Sequence, residues 1–255
     1  MSQMYLTLPS NSSMQYFPGN RLCNFTTRLA SKLNLGEGDW EVGLAEIQYP
    51  HNWDNVDVSE GSEETRVILW NGPGLGENAA TLRGRYFANV PDLVKAVDDQ
   101  VKRYARFEWD NVAGRVTVRI TPKRGVTLPV KLSGILALPR TLNNPRVTSL
   151  EIEGEEIMDK NLDLNTMYVY CDLVRHNLLG DSSVPLLRVV HIRGKHGSYV
   201  SRAYENIMYQ PMRRAEVQTV EIDIRDDTGE SIPFNSGRVV VILHIRRSPT
   251  PHFQL

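Results

Sequence analysis

Four carboxylates near the end of the chain are the residues most suggestive of binding chemistry: Asp223, Asp226, Asp227 and Glu230. An EF-hand calcium loop places oxygen ligands at its first, third and fifth positions. Counting from Asp223, the third position is Arg225, so the match fails. Aspartate side chains that accept hydrogen bonds from turn amides account for the same residues. We therefore predict a structural turn here and no metal site.

Two further patterns resemble binding motifs but lack their defining spacing. Gly72, Gly74 and Gly76 form GxGxG, whereas a nucleotide-binding loop needs GxGxxG, or a lysine followed by serine or threonine. His191 and His196 do not form the His-x-His pair of a cupin-type metal site. The GxSxG nucleophile elbow is also absent. The sequence therefore predicts no catalytic residue, no metal and no cofactor.

The two cysteines, Cys23 and Cys171, have no neighbouring cysteine and no metal-ligand spacing. We expect them to be buried free thiols in a reducing compartment. The first residues, MSQMYLTLPSN, have neither the basic nor the apolar region of a signal peptide. No apolar run approaches the roughly 20 residues of a membrane span. The chain is therefore expected to be made without a signal peptide and to have no membrane span.

The composition favours a globular protein that is not dedicated to nucleic acid. The 255 residues carry 29 basic and 30 acidic side chains, and no polybasic stripe stands out. Hydrophobic content of 41% and charged content of 23% are ordinary globular values. A chain of this length can bury a large core, so it fits one all-β domain or a domain carrying an insertion.

Alternation of apolar and polar residues predicts the strands that position these side chains. Val220, Ile222 and Ile224 alternate with charged neighbours, which indicates a strand with one buried face. A second apolar run at 239–245 follows the carboxylates, and we expect the two runs to be the closing strands of a β-sandwich. Further strands are predicted at 25–35, 40–49, 66–70, 147–152, 166–174 and 186–192.

In the middle of the chain, the spacing of apolar residues changes from that of strands to that of a helix. Apolar residues at helical spacing predict a helix over 90–105, with Asn89 as N-cap and Pro91 in the first turn. Residues 107–120 are typical of a β-hairpin. We therefore expect an all-β fold: a single jelly-roll β-sandwich over 1–255, with a small helix-plus-hairpin insertion of α/β character at about 80–145.

Five blocks of sequence, in their order and spacing, resemble one known family. They are LPSNSSMQYFPGNRLCNFTTRL (8–29), WEVGLAEIQYP (40–50), MYVYCDLV (167–174), VPLLRVV (184–190) and EIDIRDDTGESIPF with GRVVVILHI (221–245). The family is the minor capsid protein, or penton, of Polinton (Maverick) elements and the related adintoviruses. The similarity runs over nearly the whole chain, including the helix and the hairpin.

The resemblance implies a structural viral protein and no enzyme. A penton is a single jelly-roll that forms homopentamers at the fivefold vertices of an icosahedral capsid. A separate double jelly-roll major capsid protein builds the surrounding shell. The implied location is therefore the virion vertex, and the implied partners are copies of the chain itself and the major capsid protein, with no specific nucleic acid.

Physical arguments select candidates for the subunit interface. Residues 3–9 form a short strand that we expect the sandwich not to need, so it could pair with a neighbouring subunit by edge addition. Tyr16, Phe17 and Pro18, which follow this strand, could fill a subunit interface or pack against the protein's own sandwich. The tail SPTPHFQL could reach a partner. The candidate interface residues are Tyr5, Leu6, Tyr16, Phe17, Pro18 and Phe253.

Two other functions fit the same architecture. A lectin-like, carbohydrate-binding jelly-roll for receptor attachment would use exposed Trp53, Trp70 or Trp109 as stacking platforms. Receptor attachment is also compatible with a capsid role. A cupin-like enzyme is disfavoured by the missing histidine pair.

Overall fold

The computed structural model of the protein describes residues 3–55, 66–82, 86–158 and 162–249. The chain divides into two compact units. The roll unit comprises Met1–Trp53 and Leu164–Leu255, and the inserted unit comprises Asp54–Asp163.

The elements are numbered in chain order. The roll unit begins with β1 (Gln3–Pro9), β2 (Asn24–Asn34) and β3 (Trp40–Pro50). The inserted unit contains β4 (Arg66–Trp70), β5 (Glu77–Thr81), α1 (Val90–Val101), β6 (Ala105–Asp110), β7 (Arg115–Ile120), β8 (Arg124–Thr127), α2 (Val130–Ile135), β9 (Thr141–Asn144) and β10 (Leu150–Glu153). The roll unit resumes with β11 (Thr166–Cys171), β12 (Asn177–Leu179), β13 (Ser182–Val184), β14 (Leu186–His191), β15 (Tyr199–Ala203), β16 (Tyr209–Pro211), β17 (Glu216–Arg225) and β18 (Val240–Arg247).

The strands of the roll unit pair in a nested order. One sheet runs β1-β18-β3-β15, with β16 also paired to β3, and the other runs β14-β11-β17-β2. Leaving out the short β12, β13 and β16, the first strand therefore pairs with the last, the second with the seventh, the third with the sixth and the fourth with the fifth. All four pairings are antiparallel. This nesting is the jelly-roll topology, which confirms the predicted fold class.

The core lies between the inner faces of these two sheets. Val42 and Leu44 of β3 and Leu243 of β18 face it from one side, and Val169 and Ile222 face it from the other. Successive residues of a strand point to opposite faces of its sheet, and these five point to the inner face, so all are fully buried.

A bulge in β3 explains an irregularity in its sequence. Trp40, Val42 and Leu44 alternate inward, but the next inward residues are Ile47 and Tyr49, three positions on. The pairing of β3 with β18 shifts register at this point, leaving one extra residue on β3. The bulge resets the alternation, so both halves of the strand bury their apolar side chains.

The two strands at the end of the chain belong to opposite sheets. β17 pairs with β2 and β11, whereas β18 pairs with β1 and β3. The carboxylate-rich segment between them therefore crosses from one sheet to the other and does not close a simple hairpin.

The inserted unit has a hydrophobic core of its own. α1 packs its buried side chains, including Leu93 and Val97, with those of the β10-β7-β6 and β5-β4-β8-β9 sheets. Asn89 caps α1 by accepting a hydrogen bond from the Asp92 amide, at 2.9 Å, and Pro91 lies in its first turn, as predicted. The bounds of the unit are wider than 80–145, since β4 pairs with both β5 and β8.

We predict that the roll unit folds without the inserted unit. Among the described residues, every side chain in the core of the roll unit comes from the two chain segments of that unit. Replacing 54–163 with a short Gly/Ser linker should therefore leave a soluble, β-rich protein that unfolds cooperatively in urea, as measured by circular dichroism beside the full chain. Aggregation, or loss of a cooperative transition, would show that the inserted unit is needed for the core.

Candidate assembly surface

One end of the roll unit gathers four connections between strands. The register pairs that define this end are Pro9 with Val240, Asn24 with Asp223, Pro50 with Tyr199 and Thr166 with His191. The connections that leave from it span residues 10–23, 51–165, 192–198 and 226–239. Such loops on a rigid scaffold are where binding residues concentrate.

The N-terminal strand carries the first candidate residues, Tyr5 and Leu6. Leu6 is partly buried against the core of the roll unit, whereas Tyr5 is 62% exposed, with its ring centroid 4.4 Å from that of His244. The expectation that the sandwich does not need this strand is wrong, because β1 pairs with β18 along its whole length. The other side of β1 is an edge of the sheet.

The candidates Tyr16, Phe17 and Pro18 lie in the connection 10–23. Tyr16 is 51% exposed and stacks under the guanidinium of Arg28, whose carbon lies 4.5 Å from the ring centroid. Phe17 is partly buried and Pro18 is exposed. Tyr16 and Pro18 are therefore available to a neighbouring molecule. Their role at an interface remains a prediction, and Phe253 lies outside the described residues.

Asn20 fixes the shape of this connection. Its side-chain amide nitrogen donates to the backbone oxygens of Ser12, at 3.2 Å, and Thr26, at 2.9 Å, and its oxygen accepts from the Thr26 amide, at 2.9 Å. The loop is thus held in one conformation by its own polar groups, which lowers the entropy lost when its aromatic side chains bind a partner.

The acidic turn, residues 221–230, is organised by one carboxylate. Oδ1 of Asp226 accepts hydrogen bonds from the amides of Thr228 and Glu230, both at 2.9 Å, and from the Thr228 hydroxyl, at 2.7 Å. Gly229 adopts a φ of +88°, which glycine tolerates best. These bonds confirm the predicted structural turn, and they leave the Asp227 and Glu230 side chains exposed on its surface.

The cationic edge, residues 188–202, lies along one side of the roll unit. It contains Arg188, Arg193, Lys195 and Arg202, and no aspartate or glutamate occurs between 182 and 204. The guanidinium carbons of Arg188 and Arg202 lie 3.6 and 4.9 Å from the ring centroid of Tyr204. Partial burial lowers the pKa of Arg188, but a guanidinium keeps its charge at neutral pH.

The two histidines that lack the spacing of a cupin-type metal site are also on this edge. His191 and His196 are both exposed, and the ring centroid of His196 lies 6.1 Å from that of His51. Within the described residues, no group of three or more His, Cys, Asp or Glu side chains is placed to hold a metal ion. The histidines therefore add polar surface to the edge without forming a recognisable metal centre.

A surface pocket of about 480 Å³ lies beside the acidic turn. Its lining includes Cys171 and the ion pair between Arg225 and Asp223, whose charged atoms lie 2.7 Å apart. Burial raises the pKa of the Cys171 thiol to about 12, so at neutral pH it is not a thiolate nucleophile. Both cysteines are free and buried, as predicted.

The three tryptophans proposed to stack on a carbohydrate are buried to different degrees. Trp53 is fully buried, with its ring stacked on that of His51 at 4.3 Å, whereas Trp70 and Trp109 are partly buried. The burial of Trp53 removes one of the three platforms. In the described helices, no stretch is long and apolar enough to cross a bilayer.

The cationic edge is the feature that sequence reasoning missed. Its charges are spread over β14, the connection 192–198 and β15, so no short basic run marks it. The available signal was the absence of carboxylates across 182–204, beside the strand predicted at 186–192.

Two solved viral structures match this chain over nearly its whole length. The mavirus penton protein matches with a TM-score of 0.50 and 8% sequence identity, over 96% of this chain and 100% of that chain. A chain of the Sputnik virophage matches with a TM-score of 0.46 and 9% identity, over 97% and 98% of the two chains. At this identity, the likeness to the mavirus protein shows a shared fold.

Comparisons of sequence add little. Neuronal PAS domain-containing protein 3 of Mus musculus is 22% identical over 208 residues, which are 78% of this chain, and this chain spans 22% of the length of that protein. No family model matches the chain.

We predict that the acidic turn depends on Asp226 for stability and does not bind calcium. Asp226→Ala removes the acceptor of three hydrogen bonds, so the free energy of unfolding in urea should fall by about 1 kcal/mol, the usual cost of losing such a cap. Asp227→Ala, which removes an exposed carboxylate, should leave stability unchanged. Calorimetric titration of the native chain should show no saturable calcium heat in the micromolar range. A tight calcium-binding isotherm that disappears in the Asp226→Ala/Asp227→Ala double variant would contradict the absence of a calcium site.

Proposed function

We propose that this chain is a penton: a minor capsid protein that forms homopentamers at the fivefold vertices of an icosahedral capsid. In this proposal, a double jelly-roll major capsid protein builds the rest of the shell, and the chain functions in assembly and not as an enzyme. Its location is then the vertex of the virion.

The observation that carries the proposal is the nested roll itself. The match to the mavirus penton covers the whole of that chain and 96% of this one, so it includes the residues on both sides of the insertion point. The five sequence blocks that resemble Polinton pentons supply most strands of the roll. Fold alone does not determine function, so the sequence blocks give the proposal its specificity.

The chemistry of the surface supports an assembly role. Among the described residues, no group of three or more His, Cys, Asp or Glu side chains is placed to hold a metal ion, and the Cys171 thiol in the pocket beside the acidic turn is protonated at neutral pH. By contrast, the end of the roll unit presents a preshaped loop with exposed Tyr16 and Pro18, two oppositely charged surfaces and an exposed Tyr5 nearby on the sheet. Aromatic side chains in fixed loops are typical anchors of protein interfaces.

Carbohydrate binding is the second candidate, and it is compatible with a vertex position. Trp70 and Trp109 retain partial exposure, which is the observation in its favour. Both lie in the inserted unit. A glycan array probed with the native chain would detect this function directly.

We predict that the chain occupies fivefold vertices when it is produced together with its major capsid protein. Imaging of the resulting particles should show density for the roll at those positions. Particles made without this chain serve as the control and should have open or unoccupied vertices. Density only on hexameric faces, or exclusion of the chain from particles, would contradict the proposal.

We also predict that Tyr16 contributes to the subunit interface. Tyr16→Ala removes an exposed aromatic side chain without disturbing the hydrogen bonds of Asn20, so incorporation into particles should fall while the melting temperature stays near that of the native chain. Leu178→Ala is the matched control, since Leu178 is 84% exposed in β12, away from the end that carries the 10–23 connection. Equal incorporation of the two variants would remove Tyr16 from the interface.

A further inference from the structure

We propose that subunits associate through opposite charges, with the acidic turn of one copy docked against the cationic edge of the next. This inference rests on the proposed homopentamer and names the two surfaces through which the ring would close. It follows from four observations: the unpaired cations of the edge, the free sheet edges beneath them, the net charge of the turn and the position of both surfaces.

The cations of the edge lack the carboxylate partners that some other cations of the roll unit have. Lys32 pairs with Glu216 at 2.6 Å, Arg246 with Glu41 at 3.0 Å, and Arg214 with Asp172. No carboxylate among the described residues forms an ion pair with any of the four cations of the edge: Arg188, Arg193, Lys195 and Arg202. A surface with unneutralised charge of one sign is complementary to an acidic partner.

The backbone beneath these cations is also unpaired on one side. β14 and β15 are the end strands of their sheets, so each presents one row of backbone groups that no strand among the described residues covers. Val189 and Tyr199 are exposed on these strands. Two copies of this edge would repel each other, which disfavours a twofold contact between identical edges. A different surface on the partner is needed, and contacts between different surfaces are those that close rings.

The acidic turn supplies charge of the opposite sign. Residues 221–230 contain five carboxylates and one arginine. Asp226 is used within the turn and Asp223 pairs with Arg225, but Glu221, Asp227 and Glu230 are exposed. The two surfaces balance within a chain whose net charge is −1.

The position of the two surfaces suits a rotation axis. The connection 192–198 and the acidic turn both lie at the end of the roll unit where β14 and β17 finish. Copies related by pure rotation touch through points at equal height along the axis. Two surfaces at the same end of one unit satisfy this condition, and β11 separates them, so they do not neutralise each other by direct pairing.

The contact should be sensitive to salt. Exposed ion pairs are individually weak and are screened over about 8 Å at physiological ionic strength. Association of the native chain should therefore weaken as salt rises, which sedimentation velocity can follow over a range of protein concentration.

Charge reversal tests the inference. Arg193→Glu with Lys195→Glu reverses the edge, and Asp227→Lys with Glu230→Lys reverses the turn. Either pair alone should weaken association at low salt by roughly tenfold or more, because attraction becomes repulsion. The four substitutions in one chain should restore it. A mixture of the edge-reversed and turn-reversed chains should also associate, since each supplies the partner that the other lacks.

Matched controls place the same charge changes in the inserted unit. Lys102→Glu with Arg103→Glu, and Glu155→Lys with Glu156→Lys, change net charge equally at exposed positions and should leave association unchanged. Circular dichroism and urea unfolding of every variant check that the fold is intact. Association lost equally in the controls would mean that net charge, and not these surfaces, controls it.

The outcomes separate this inference from the proposed function. Pentamers of the native chain that withstand both reversals would overturn the charge contact and leave the penton proposal standing. Rings of another size with the expected charge dependence would support the contact and overturn the pentamer. If neither the native chain nor the mixed variants associate at low salt, the contact is overturned.

Discussion

The structure depends on one requirement: two sheets must each bury one apolar face against the other. A fully buried Val, Leu or Ile side chain contributes about 1.5–3 kcal/mol relative to exposure, and the inner faces of the roll unit carry many of them. The bulge in β3 exists because this burial must continue on both sides of it. In the nested pairing, each strand of the two sheets has a partner strand on both sides, except for the four strands at the sheet edges.

This requirement leaves the ends and outer faces of the sandwich free for other tasks. The inner faces determine stability, whereas the connections carry the exposed aromatic and charged side chains. Hydrogen bonds within the connections, such as those of Asn20 and Asp226, fix their shapes without using the outward side chains. The inserted unit occupies one of these connections and has its own core, so it adds surface without altering the sandwich.

Local features could be predicted from the sequence, whereas pairing could not. The alternation of Val220, Ile222 and Ile224 identified a strand with one buried face, and Asn89 with Pro91 identified the start of a helix. Each depends on neighbours within a few positions. The partners of β17 and β18 depend on residues far away in sequence, so their placement in opposite sheets did not follow from pattern, and neither did the structural role of β1. For the same reason, the cationic edge was overlooked: Arg188 and Arg202 meet at Tyr204 only after two strands fold.

The nested pairing also sets the order in which the roll can be completed during synthesis. β11 and β14 are close in sequence and can pair early, whereas β1 is synthesised long before its partner and must wait for β18. Three of the four nested pairs join strands on opposite sides of the inserted unit in sequence. A folded insert shortens the effective loop between those strands, which lowers the entropy cost of pairing them. Until β18 is synthesised, β1 has no partner strand and one side of β3 stays open, so the roll is most exposed to wrong strand partners during that interval. A chaperone that protects the roll would therefore matter most in the interval before β18 is synthesised.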